Sequence, residues 1–170
     1  YTSPSLDSQM FGVAGKLALG DLEIGTDNNT LWAVNVADGN QALVRMNVSN
    51  GVQPASATQI PLVMGNNGIP TCKNGQFRPW ALAMNLGNGY LGGVCDGDLT
   101  AYIRKYDGST WSTVYSFALT FPRAAGVGLS GGTVITPATW VAWNDIWDTR
   151  ATGGAASSGA VVDPQPIFSD

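Results

Sequence analysis

Histidine is absent from this chain of 170 residues. That absence removes Ser-His and Cys-His nucleophilic pairs, imidazole metal ligands and the side chain best suited to proton transfer near neutrality. Glutamate occurs once, at Glu23, and lysine only at Lys16, Lys73 and Lys105. Charged residues make up 12% of the sequence, about half the share of an ordinary soluble domain. The net charge is −4, and no cluster of Lys or Arg exists to follow a phosphate backbone, so nucleic acid is not an expected partner. No apolar run approaches the roughly 18 residues of a membrane-spanning helix, and an acidic chain suits anionic lipid poorly. Membrane insertion is therefore not expected. Any reaction would fall to carboxylates, Tyr, Lys or a bound metal.

What is present is apolar and turn-rich. Hydrophobic residues reach 44%, with 22 glycines and many Asn, Ser and Thr. This mixture favours short strands and tight turns over helices. The two cysteines, Cys72 and Cys95, admit three readings: a zinc half-site, a redox pair or a disulfide. Two thiolates without histidine make a poor zinc site, and their spacing is far from C-x-x-C. A disulfide is the preferred reading, and it implies an oxidising compartment.

The chain repeats itself. Ala42-Leu43-Val44-Arg45-Met46-Asn47 aligns with Ala101-Tyr102-Ile103-Arg104-Lys105-Tyr106 at an offset of 59 residues. Leu22-Glu23-Ile24 aligns with Trp80-Ala81-Leu82, and Leu31-Trp32-Ala33-Val34 with Tyr90-Leu91-Gly92-Gly93. In the first copy, strands are expected at 16–25, 30–36, 42–48 and 58–63. In the second they fall at 79–84, 90–95, 100–106 and 111–119. Asn50-Gly51 and Asp107-Gly108 mark hairpins. Thr30 to Val36 is apolar in both alternating sets, as in a strand buried on both faces.

Two four-stranded meanders in succession, about 16–63 and 78–120, predict an all-β chain of β-propeller-like blades. A partial further blade is expected over 126–170. It contains one short Trp-rich helical or loop segment, in which Trp140, Trp143 and Trp147 would share a helix face. About three blades make an incomplete ring, and isolated repeats cannot bury their own faces. Tyr1 is not an initiator Met, so a processed or partial chain is expected. The expected partner is the remainder of its own polypeptide, or another chain that completes the ring.

The order of the short motifs carries a resemblance. Gly20-Asp21-Leu22-Glu23-Ile24, Thr30 to Asn35, Arg78-Pro79-Trp80-Ala81-Leu82 and Tyr90 to Cys95 come first. Phe121-Pro122-Arg123, Trp143-Asn144-Asp145-Ile146-Trp147-Asp148 and Pro164 to Asp170 follow. From about residue 16 onward, the series resembles the propeller-like N-terminal module of large secreted or surface-anchored bacterial proteins of the adhesin type. The resemblance implies display outside the cell and a structural or binding role. It implies no catalytic residues.

Several candidate sites stand apart from the repeat. The Trp140, Trp143 and Trp147 stripe could stack sugars or pack as a helix face on the sheets. Asp96 and Asp98 could supply two calcium ligands, or could form an Asx-type turn. Glu23 could be an acid of raised pKa, or a structural carboxylate paired with Arg78 or Arg123. Arg78 and Arg123 lie beside prolines at equivalent strand starts, which suits bracing between blades. Arg45 and Arg104 coincide in the repeat and are expected to share one structural job.

The preferred reading is a non-enzymatic secreted or cell-surface module for adhesion or assembly, with a surface glycan or protein as possible ligand. The alternative is a propeller-type hydrolase or lyase that acts on polysaccharide or phosphate esters with carboxylates and calcium. The missing histidine and the single glutamate favour the first.

Overall fold

The computed structural model describes residues 18–121 together with 140, 142, 143 and 167. They form an all-β structure of two four-stranded antiparallel sheets, each a meander in chain order. The first sheet contains β1 (Leu19–Ile24), β2 (Thr30–Asn35), β3 (Ala42–Asn47) and β4 (Ala57–Pro61). The second contains β5 (Phe77–Asn85), β6 (Asn88–Cys95), β7 (Thr100–Tyr106) and β8 (Trp111–Ala118). A single 3-10 turn, Ser49–Gly51, is the only helical element among the described residues. The sheets are open, and no ring is closed within these residues. Of the segment 126–170, only residues 140, 142, 143 and 167 are described.

Carboxylates set two of the hairpins. Asp27, between β1 and β2, accepts the N–H groups of Asn29 and Thr30 at 2.9 and 3.0 Å and the Thr30 hydroxyl at 2.7 Å. Asp107, between β7 and β8, accepts the N–H groups of Ser109 and Thr110 at 2.9 and 2.8 Å, and both hydroxyls as well. Such Asx-type bonds satisfy turn amides that no strand can reach. The remaining backbone freedom comes from Asn28 and Gly108, both with positive φ.

One main core lies between the sheets. Trp32, Val34 and Leu43 contribute from the first, Phe77, Leu82, Leu91, Tyr106 and Trp111 from the second. Leu62, Ile69 and Cys72 of the connecting segment fill the space between them. The double-sided burial expected of β2 is present, because Trp32, Ala33 and Val34 are all buried. Strands β1 and β5, the first of each sheet, run beside one another. Each is bulged, β1 between Leu19 and Leu22 and β5 between Pro79 and Leu82. Pro79 has no N–H to give to a ladder. Next to this bulge, the Leu82 N–H donates to the Asp21 carboxylate of β1 at 2.9 Å. A charge-assisted bond therefore ties one sheet to the other.

The outward side of β1 is apolar and open. Leu19, Leu22 and Ile24 are 57%, 51% and 46% exposed. On the far side of the second sheet, Val94, Ala101 and Leu119 form a smaller cluster with Phe117 and Trp140.

The turn bonds fix the direction of acid denaturation. Hydrogen bonding holds the carboxyls of Asp107 and Asp27 below the usual carboxylate range. A depressed folded-state pKa contributes stability above the unfolded value of about 4 and loses it as pH falls. Stability should therefore decline below about pH 4. Asp107→Asn should shallow that acid limb in urea titrations from pH 5 to 2, and an unchanged slope would contradict this account.

Candidate functional site

Arg78, near the start of β5, pairs with two carboxylates. Only 8% of its surface is exposed. Its Nε donates to Asp96 at 2.7 Å, and its Nη1 pairs with Asp38. Asp96 follows β6 of the same sheet, whereas Asp38 lies in the β2–β3 turn of the other sheet. One guanidinium thus joins carboxylates from both repeats. Its planar face also lies over the Trp143 ring, 5.0 Å from the centroid, in a cation–π arrangement. The expected pairing of Glu23 with Arg78 is not found: Asp38 and Asp96 hold this guanidinium, and Glu23 faces Trp32 across the β1–β2 ladder. Arg123, the other arginine proposed for bracing, lies outside the described residues.

Asp96 and Asp98 are both engaged in hydrogen bonds within the fold. Asp96 uses one oxygen for Arg78 and the other for the Gln76 N–H, at 2.7 Å. Asp98 accepts the Lys73 and Asn74 N–H groups, the latter at 2.8 Å. Both carboxylates therefore hold the 73–76 segment against the β6–β7 turn. Gly75 makes this possible, since a Cβ there would overlap the Asp96 carboxylate. The Cys72–Cys95 disulfide fastens the same segment to the end of β6 across a sequence separation of 23. A disulfide is consistent with an oxidising, extracellular setting. No helix of the described residues is long and apolar enough to cross a membrane.

The two repeat-related arginines occupy different environments. Arg45 is exposed, with its guanidinium 6.0 Å from the Trp32 ring centroid. Arg104 is only 4% exposed, and burial pulls its pKa down from the usual value. Its Nε has no hydrogen-bond partner among the described residues. The difference lies in the segment after β4. There Gly68 packs directly against the Arg104 guanidinium and the Trp111 carbonyl, and a Cβ would collide with the latter.

The tryptophans part company as well. Trp140, Ala142 and Trp143 lie in irregular chain, which matches the loop and not the helix alternative at these residues. Trp140 packs on the outer cluster of the second sheet and meets Phe121 edge-on at 6.1 Å. Trp143 goes to Arg78. The two rings thus have different neighbours. Trp147 lies outside the described residues.

A groove that sequence reasoning did not single out opens beside the Arg78 cluster. Its volume is about 460 Å³. The β2–β3 turn contributes Gly39, Asn40 and Gln41, and β4 contributes Gln59 and Pro61. Met64, Gln76 and Phe77 close the other side. Among the described residues, no charged one lines it. A repeated signal marks one wall in the sequence: Val36-Ala37-Asp38-Gly39 recurs as Val94-Cys95-Asp96-Gly97, and these are the turns that hold Arg78.

In comparison with known proteins, the chain matches no family, no curated sequence and no solved structure.

Removing one partner from a buried, hydrogen-bonded ion pair costs about 3–5 kcal/mol. Arg78→Ala should lower unfolding stability by that order in urea melts. Asp38→Asn should cost less, because Asp38 is partly exposed. Equal losses for the two would show that the guanidinium does not act as the joint. Independently, the Cys72→Ala/Cys95→Ala double variant should lose about 3 kcal/mol through loop entropy, and a loss below about 1 kcal/mol would contradict it.

Proposed function

We propose that this chain is a non-enzymatic structural and binding module of the secreted or cell-surface kind, built from propeller-like blades. The supporting observation is the fate of six of the described carboxylates. Asp21, Asp27, Asp38, Asp96, Asp98 and Asp107 each accept bonds from backbone N–H groups, hydroxyls or Arg78. Carboxylate-based hydrolysis requires a pair of free carboxyl groups across a cleft. Here the charges hold turns and join sheets, which is the work of a scaffold. The packing of β1 beside β5 suits successive blades, whose first strands lie nearest a common axis.

The exposed Leu19, Leu22 and Ile24 are the second support. Head-to-tail packing of sheets leaves one unmatched face at each end of an array. In this reading another blade covers the β1 face, from the same polypeptide or from a partner chain. A spin label or crosslinker at Leu22→Cys tests the idea. In the native protein, isolated from its own source, the site should be protected and crosslink to a further β-sheet unit. Full solvent accessibility there would overturn the assembly reading.

A further inference from the structure

We propose that the groove between the β2–β3 turn, the end of β4 and the start of β5 binds a neutral, polyhydroxylated ligand, one or two saccharide units in size. The inference deepens the binding role proposed above and rests on it. Four observations carry it.

The first is size. A volume of about 460 Å³ falls within the roughly 300–1,000 Å³ of small-molecule sites. The second is the chemistry of the rim. Asn40, Gln41, Gln59 and Gln76 bring four side-chain amides to one groove. A primary amide offers a donor and an acceptor side by side. Adjacent hydroxyls on a sugar ring are likewise both donors and acceptors, so a planar amide can bridge two of them. Three of these amides are uncommitted: the side chains of Asn40, Gln59 and Gln76 make no hydrogen bond to the described residues. Gln41 makes only a long contact of 3.5 Å with Asp38.

The third observation is the floor. Ala42, Pro61, Leu62 and Phe77 present C–H and ring surface, which suits the apolar face of a pyranose. The fourth is charge. None of the described lining residues is charged, so a carboxylated or phosphorylated ligand would lose hydration there without gaining a counter-ion from them. The neighbouring Arg78 does not alter this, because Asp38 and Asp96 already neutralise it.

An extended peptide is the competing occupant, since β4 is the edge strand of the first sheet. Pro61 weakens that alternative. It sits in the groove wall and supplies no N–H for an added strand. The walls are held in place independently of any ligand. The Asp38–Arg78 pair holds the β2–β3 turn, and the Gln76 N–H bond to Asp96 holds the opposite side.

The test is titration of the disulfide-bonded protein with glucose, galactose, N-acetylglucosamine and their β-linked dimers, followed by amide chemical shifts. Glucuronic acid and a Val-Thr-Val-Thr peptide serve as charged and peptidic controls. At least one neutral sugar should shift resonances of residues 39–42, 59–64 and 76–77 saturably. Gln59→Ala with Gln76→Ala should weaken that sugar at least tenfold while leaving the melting temperature within about 2 °C. A response to no neutral sugar, or a stronger response to glucuronic acid or the peptide, would overturn the proposal. Sugar failure with Leu22→Cys still protected in the native assembly would remove the ligand and leave the module reading intact.

Discussion

A guanidinium with 8% of its surface exposed must have its charge answered within the protein, since an uncompensated buried charge is strongly destabilising. At Arg78 the answer comes from two turns that belong to different sheets. Asp96 lies at the end of β6 and Asp38 between β2 and β3. This geometry couples features that would otherwise be independent. If the first sheet moved relative to the second, one carboxylate would leave Arg78 and the charge would be left half-paired. The disulfide, the Gly75 contact and the two Asp98 bonds all stiffen the segment that delivers Arg78 to this position. The apolar core supplies the bulk of the burial. The ion cluster sets which way the sheets face.

The same coupling explains why the chain manages with so few charges. Surface ion pairs contribute little in water, and this protein has few of them to offer. Three described acidic residues answer backbone N–H groups: at the hairpins Asp27 and Asp107, and at the β5 bulge Asp21. A four-stranded antiparallel meander has many tight turns per residue, so acidic residues in such a chain are drawn to turns first.

The strand order was legible because it depends on local signals. Alternation, the Asp107-Gly108 dipeptide and the 59-residue offset act within a few residues or between similar copies, whereas Asn50-Gly51 lies in a 3-10 turn within a longer β3–β4 connection instead of a two-residue hairpin. The site was less legible because it depends on what lies across the core. Arg45 and Arg104 coincide in the alignment, yet only Arg104 has Gly68 folded over it. No local pattern distinguishes them. Glu23 was the natural candidate to pair with Arg78, as the only glutamate and as part of an equivalent strand. The actual partner from the first sheet, Asp38, lies 40 residues away from Arg78. It could have been found from the repeated Asp-Gly turn, had turn residues been weighed as ion-pair partners. The Trp spacing left a helix and a loop both open. A three- and four-residue periodicity predicts a shared face only if the backbone is helical, and the described Trp140, Ala142 and Trp143 lie in irregular chain, with Trp140 beside Phe121 and Trp143 beside Arg78.

The contrast between the ion cluster and the groove beside it bears on function. The cluster concentrates three of the protein's charges at the seam. The groove, one turn away, has none among its described lining residues. Turn residues 38–41 belong to both: Asp38 looks toward Arg78, while Asn40 and Gln41 line the groove. At this seam Arg78, Asp38 and Asp96 meet in the joint, while neutral hydrogen-bonding groups line the described part of the groove. The ligand reading proposed above rests on that division: recognition there would run through shape and hydroxyl pattern.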